Sequence, residues 1–83
     1  MIMSMERAAM RGKLAELQDN QRKLVLKAEG LCTAIRQGLN TALTPFLEQQ
    51  IPQAASQMDD LVMVWVELQK VQSDIARLER ELR

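Results

Sequence analysis

An all-α fold, an antiparallel two-helix hairpin of coiled-coil type that dimerises into a four-helix bundle, is predicted by three features of the sequence. Apolar residues recur at heptad spacing along most of the 83 residues, Pro45 and Pro52 interrupt that pattern at one place, and residues 61–66 (Leu-Val-Met-Val-Trp-Val) are apolar without a break. Two long helices joined by a short bend lie antiparallel. A helix in a lone hairpin needs one apolar stripe, so a segment apolar on nearly every side requires cover from a further chain.

The first helix is expected over residues 4–43. Ser4 suits the N-cap, since its hydroxyl accepts from the unpaired N–H groups of the first turn, and Glu6 would face the positive end of the helix dipole. The first three residues are expected to fray, and Met1, Met3 and Met5 are alternative starts. With Leu14 at position a, the other a residues are Arg7, Gln21, Ala28, Ile35 and Ala42, and the d residues are Met3, Met10, Leu17, Leu24, Leu31 and Gly38. The frame passes through Gly30 at position c, where glycine costs about 1 kcal/mol relative to alanine without breaking a helix that packing supports. One long helix is therefore predicted in place of two short ones.

The bend is expected over residues 44–51. Thr44-Pro45 stops the first helix, because the residue before proline is pushed out of the helical region and proline has no N–H to continue the ladder. Thr44 as N-cap with Pro45 in the first helical position suits a single turn reaching Gln49, which Ile51-Pro52 breaks again. The second helix follows over residues 52–82 with Pro52 in its first turn; Ser56 and Asp59 form a later, weaker start signal. With Leu61 at a, that set is Ala54, Leu61, Leu68, Ile75 and Leu82, and the d set is Gln57, Val64, Val71 and Leu78. Propensity alone would make residues 61–66 a strand, but the heptads on both sides and the length of the segment favour helix. No repeat, low-complexity segment or linker divides residues 1–83, which read as one hairpin domain.

Antiparallel packing sets the a residues of one helix against the d residues of the other. Pairing Leu14 with Leu78, Leu17 with Ile75, Leu24 with Leu68, Ala28 with Val64 and Leu31 with Leu61 makes each layer apolar. The g positions then bring Lys13 opposite Glu81, Lys27 opposite Glu67 and Asn20 opposite Asp74, with no like charges meeting. Exposed pairs of this kind are worth about 0–1 kcal/mol each and serve as evidence of register. Gln21 at an a position, with Gln72 nearby, is expected to fix the register at some cost in stability.

On the other flank the e positions place Val25 near Trp65 and Cys32 near Met58, with Leu39 and Phe46 toward the bend. Beyond them Leu26, Leu43, Val62, Met63 and Val66 occupy positions that a lone hairpin leaves in water. An apolar patch of that extent exceeds what a monomer normally carries, and a second copy packed about a two-fold axis is the simplest cover. The expected interface is Val25, Leu39, Phe46, Met58, Leu61, Val62, Trp65 and Val66. Trp65 is read as a packed side chain of core or self-interface before it is read as a ligand anchor.

Composition narrows the function classes. A chain this short builds a core worth about 3–5 kcal/mol and is usually supplemented by disulfides, metals or oligomerisation. Cys32 is the single cysteine and histidine is absent, which excludes an intrachain disulfide and the common zinc sets and leaves oligomerisation. A di-metal bundle would need inward-facing Glu-x-x-His motifs, so neither metal nor cofactor is expected. Cys32, without a histidine to activate it, reads as a small apolar filler and not as a nucleophile. Asp59-Asp60, Glu79 and Glu81 lie on solvated faces, without the apolar enclosure that moves a carboxyl toward general-acid work. No enzyme is expected.

Eleven basic residues balance eleven acidic ones, so no net field draws the chain to nucleic acid or to an anionic membrane. The clusters Arg7-Arg11-Lys13 and Arg22-Lys23-Lys27 are diluted by Glu6, Glu16, Asp19 and Glu29, which disfavours nucleic-acid binding. The longest apolar run falls far short of the roughly 18 residues of a membrane span, nothing resembles a signal peptide, and Asp59, Asp60 and Glu67 beside that run disfavour a lipid surface. A cytoplasmic location is expected.

From Leu31 onward, the order Leu31-Cys32-Thr33-Ala34-Ile35-Arg36, Leu39, Pro45, Ile51-Pro52, Leu68-x-x-Val71-Gln72 and Ile75-Ala76-x-Leu78 resembles small helical-hairpin proteins of Mu-like transposable bacteriophages and prophages. The resemblance covers about the last fifty residues. It implies a bacterial cytoplasm and a small accessory phage protein, and it carries over no site residues; the run around Trp65 departs from the more polar middle such proteins lead one to expect. The expected function is that of a non-enzymatic helical interaction or accessory protein, a homo-oligomer with a dimer favoured. A subunit that binds a different protein, and a nucleic-acid-associated accessory, stand as the alternatives.

Overall fold

In the computed structural model, which describes the backbone from Ile2 and the side chains from Met5 to Arg83, two α-helices pack side by side. They are α1 (Ile2–Gly38) and α2 (Ile51–Glu81), joined by residues 39–50 with one 3-10 turn at Phe46–Glu48. No strand occurs among the described residues. The helices run antiparallel and are tied at both ends of the rod. Near the start of α1, Arg7 Nη2 donates to the Leu82 carbonyl at 2.7 Å; at the bend, the Gln50 N–H donates to the Gly38 carbonyl at 3.1 Å.

The heptad frame accounts for burial position by position. From Ile51 to Arg83 each a and d residue is buried or half-buried, and of the others only Asp74 is not exposed. α1 follows its frame from Arg7 to Gly38, with Leu24 its most deeply buried residue. The core joins Leu24, Val64, Val71 and Ile75, with Leu14, Leu17, Ala28, Leu31 and Leu68 packed around them. Both members of the predicted layers Leu17–Ile75, Leu24–Leu68 and Ala28–Val64 belong to it. Gln21 is half-buried at its a position, whereas Gln72 is exposed and takes no part in the seam.

Two helices alone give a thin core. No described side chain is wholly enclosed; Val64, the deepest, keeps 3% of its surface exposed. The rod measures 66 × 16 × 15 Å. Its radius of gyration is 18.9 Å, against about 12 Å for a compact chain of this length. Its accessible surface is 6559 Å², against roughly 5,000 Å² for a compact monomer of this mass.

Three boundaries differ from expectation. α1 is helical from Ile2, so Ser4 lies inside it and Glu6 beyond its first turn; the fraying of Met1 and the side chains of Met3 and Ser4 lie outside the described residues. At its other end α1 stops at Gly38, ahead of the expected Leu43. The Leu39 N–H turns back to the Arg36 carbonyl at 3.3 Å, and Asn40 then builds a turn of its own. Its Oδ1 accepts from the Ala42 N–H at 3.1 Å, and its carbonyl accepts from the N–H groups of Leu43 at 3.4 Å and Thr44 at 3.2 Å. A side-chain oxygen that offers backbone donors a local partner competes with helix, which is why asparagine favours turns. Ala42 consequently leaves the seam and is exposed. The third difference is at Pro45, which flanks the 3-10 turn in an extended conformation (φ −56°, ψ 149°) and does not begin it. α2 starts close to expectation, with Pro52 in its first turn and the Ala54 N–H on the Gln50 carbonyl at 2.8 Å.

Gln49 holds the bend. Its buried Nε2 donates to the carbonyls of Thr44 at 2.5 Å, Asn40 at 3.2 Å and Pro45 at 3.4 Å. Replacing Gln49 by leucine keeps the bulk and leaves the Thr44 carbonyl without its donor, whereas Asn40 and Pro45 keep backbone N–H partners, so a loss of about 1–3 kcal/mol is expected in urea unfolding. Gln49→Glu should cost more, because a carboxylate would face the same carbonyl oxygens. At Gly30 the sign reverses. A Cβ there meets nothing within 4 Å, so Gly30→Ala is expected to raise stability by up to about 1 kcal/mol in the same assay.

The ion pairs are local. Lys13–Glu16 (3.6 Å), Arg22–Asp19 (2.9 Å), Lys23–Asp19 (3.0 Å) and Arg77–Asp74 (3.9 Å) each lie within one helix, and among the described residues none bridges the seam. The expected g–g pairs are therefore not made: Lys13 and Asp74 find partners one turn away, and immobilising two long exposed side chains across a groove gains too little to compete. Asp19 is the focus of this network. The hydrogen bond from Lys23, then that from Arg22, holds its carboxyl below the ordinary aspartate value. Because the folded value lies below the unfolded one, this contribution is complete above the ordinary carboxylate range and is lost as pH falls through the lowered value. An NMR titration of the Asp19 carboxyl should show the lowered midpoint, and Lys23→Ala should raise it.

Candidate functional site

The surface that the core cannot cover is an open apolar groove along one flank of the hairpin. On α2, Met58, Leu61, Val62 and Trp65 follow the i, i+3, i+4, i+7 spacing that puts side chains on one helix face. On α1 and at the residue just past its end, Val25, Ala28, Cys32, Ile35 and Leu39 alternate steps of three and four, which does the same. The two faces meet in a central stretch lined only by apolar side chains, Ala28, Met58, Leu61, Val62, Trp65 and Leu68. Toward the bend it continues between Ile35, Leu39, Ile51, Ala54 and Ala55, sharing Met58. Along α1 it continues past Val25, Cys32 and Arg36, sharing Ala28 and Leu68, and toward the termini it ends at Gln21, Arg22 and Leu26.

Of the residues expected at the interface, Val25, Leu39, Met58, Leu61, Val62 and Trp65 line this groove. Leu61 is half-buried in its wall, and Trp65 leaves 58% of its surface in water. Val66 does not belong with them. One residue past Trp65 turns about 100° around the helix, and Val66 lies on the opposite flank with Met63, in a groove shared with Lys27, Asp60, Glu67 and Lys70. Lys27 and Glu67, expected as partners, border that same groove. Phe46 lies on the bend, exposed and outside both grooves.

Leu47 and Ile51 are absent from the expected set. Ile51 lines the bend-side groove, and Leu47 is the most exposed large apolar side chain of the chain's described part, at 94%. The adjacent apolar pair Phe46-Leu47 between two prolines was the available signal: a 3-10 turn of three residues has no second layer to bury both.

Cys32 is half-buried at the groove edge and is not in a disulfide. Among the described residues no three histidine, cysteine, aspartate or glutamate side chains gather as metal ligands, and no helix is long and apolar enough to cross a membrane. The hollows are open grooves of about 330–480 Å³ between the two helices. The fold and this flank define an all-α helical hairpin with one unpartnered apolar face. No protein-family model, curated protein or solved structure matches the chain.

Proposed function

We propose that the chain is a non-enzymatic helical interaction protein that self-associates through the apolar flank into a four-helix bundle. The observation that carries this reading is the central groove, where Met58, Leu61, Val62 and Trp65 form a continuous face with no polar group to hold water. Burial of apolar area drives association at about 25 cal/mol per Å², and the excess surface of the rod supplies that area. A second copy brings the same face by symmetry, so the groove is covered without any other component. The resemblance to hairpin proteins of Mu-like phages adds a bacterial, phage-encoded setting to this proposal.

Recruitment of a different protein is the second reading, and it is favoured by one observation. The opposite flank, with exposed Met63 and Val66 ringed by Lys27, Asp60, Glu67 and Lys70, stays open when the first flank is covered, and its mixture of apolar centre and charged rim suits a transient contact. The nucleic-acid reading loses ground, since Asp19 engages both Arg22 and Lys23 of the second basic cluster.

Absolute mass by light scattering on a sizing column, over a range of protein concentration and salt, tests the proposal. A multimer insensitive to salt supports it. A monomer at all concentrations refutes self-association and turns attention to a different partner.

A further inference from the structure

We infer that the second copy packs in parallel, with both bends at one end of the bundle and α1 of each copy lying over α2 of the other. This rests on the self-association proposed above and specifies its geometry. Two hairpins stacked flank to flank about a two-fold axis have two arrangements: an axis along the rod puts α1 over the partner's α2 and the bends together, and an axis across the rod puts α1 over α1 and the bends apart.

Two independent features favour the first. One is the distribution of apolar groups. The groove from Val25 and Leu68 to Leu39 and Ile51 occupies the bend-proximal half, whereas in the half carrying the termini Met5 is the one exposed large apolar side chain among the described residues. A face of 66 × 16 Å offers on the order of 1,000 Å² per copy, so full overlap buries about 2,000 Å², as in obligate dimers. With the axis across the rod, full overlap sets the apolar half of one copy on the polar half of the other. A staggered overlap of the apolar halves alone buries about 1,000 Å² in total, the lower limit for a specific interface. Only the parallel arrangement matches apolar half to apolar half at full overlap.

The other feature is charge. α1 carries seven basic and four acidic residues, a net of +3, and α2 carries three basic and six acidic, a net of −3. Stacking unlike helices puts opposite fields together, and stacking like helices opposes them. On the flank itself, Arg11 and Glu79 occupy e positions at nearly the same height on the rod, both exposed and, among the described residues, neither in an ion pair; the parallel arrangement brings each toward the other in the partner copy.

The test is a distance between spin labels in the full chain. Ala9→Cys, exposed near the end of the rod remote from the bend, is labelled in a Cys32→Ser background, with Arg80→Cys as a second site at the same end and the mass of each labelled chain measured alongside. The parallel dimer predicts distances between copies under about 40 Å at both sites, the span of a few helix diameters. A dimer with distances of about 40 Å or more, as opposed bends dictate for sites roughly 20 Å from the midpoint of the 66 Å rod, overturns the arrangement and leaves self-association standing. A monomer, seen also for the unlabelled natural sequence, overturns both.

Discussion

Trp65→Glu is expected to convert the associated protein to monomer while leaving the hairpin helical. The indole lies in the all-apolar centre of the groove with 58% of its surface exposed, so its cover must come from outside the chain. An aromatic anchor at the centre of an interface is worth about 2 kcal/mol or more, and a two-fold dimer contains it twice. Loss of about 4 kcal/mol weakens association on the order of a thousandfold, before the cost of burying two carboxylates is added. Leu78→Ala is the matched control. Leu78 is buried in the intrachain seam at the end remote from the bend, and its truncation should lower helical stability first and association only as a consequence. Sizing and circular dichroism on both variants separate the two roles. Equal loss of mass and helicity in both would show that the seam and the flank are not distinct.

The architecture was legible because heptad spacing is a direct image of which side faces the partner helix. The a and d positions from Ala54 to Leu82 are the buried and half-buried ones, with Asp74 the single addition, which follows from a helix with one neighbour and no competing packing. The end of α1 was less legible. Pro45 is the loudest breaker in the chain, and it masked Asn40, whose side chain forms a turn before the proline is reached. Gln49 was silent for a related reason: a glutamine between two prolines looks like a solvated loop residue until the bend folds carbonyls around its amide. Heptad position sets Val25, Met58 and Trp65 along one flank, as the groove has them, whereas an unbroken apolar run conceals that Val66 points about 100° from Trp65, toward the other flank. The charges across the seam failed as a guide because Lys13 and Asp74 each had an equally good partner on its own helix.

The second large effect is expected at Leu24. It is the most deeply buried residue of α1 and the only one of that helix in the innermost group, which it shares with Val64, Val71 and Ile75. Truncating a buried leucine to alanine costs about 2–5 kcal/mol, depending on how far the surroundings collapse. A single core of this size supplies about 3–5 kcal/mol, so Leu24→Ala should leave the isolated hairpin marginal or unfolded. Met63→Ala, on the exposed opposite flank, should change stability by less than about 0.5 kcal/mol. Urea unfolding followed by circular dichroism at two protein concentrations distinguishes a self-contained core from one completed by a partner. If association supplies part of the stability, the unfolding midpoint of Leu24→Ala rises with protein concentration, because binding that is specific to the folded state adds to it by mass action. A midpoint independent of concentration would mean that the thin two-helix core stands unaided, and the apolar flank would then have to be assigned to a partner that is not a second copy of the chain.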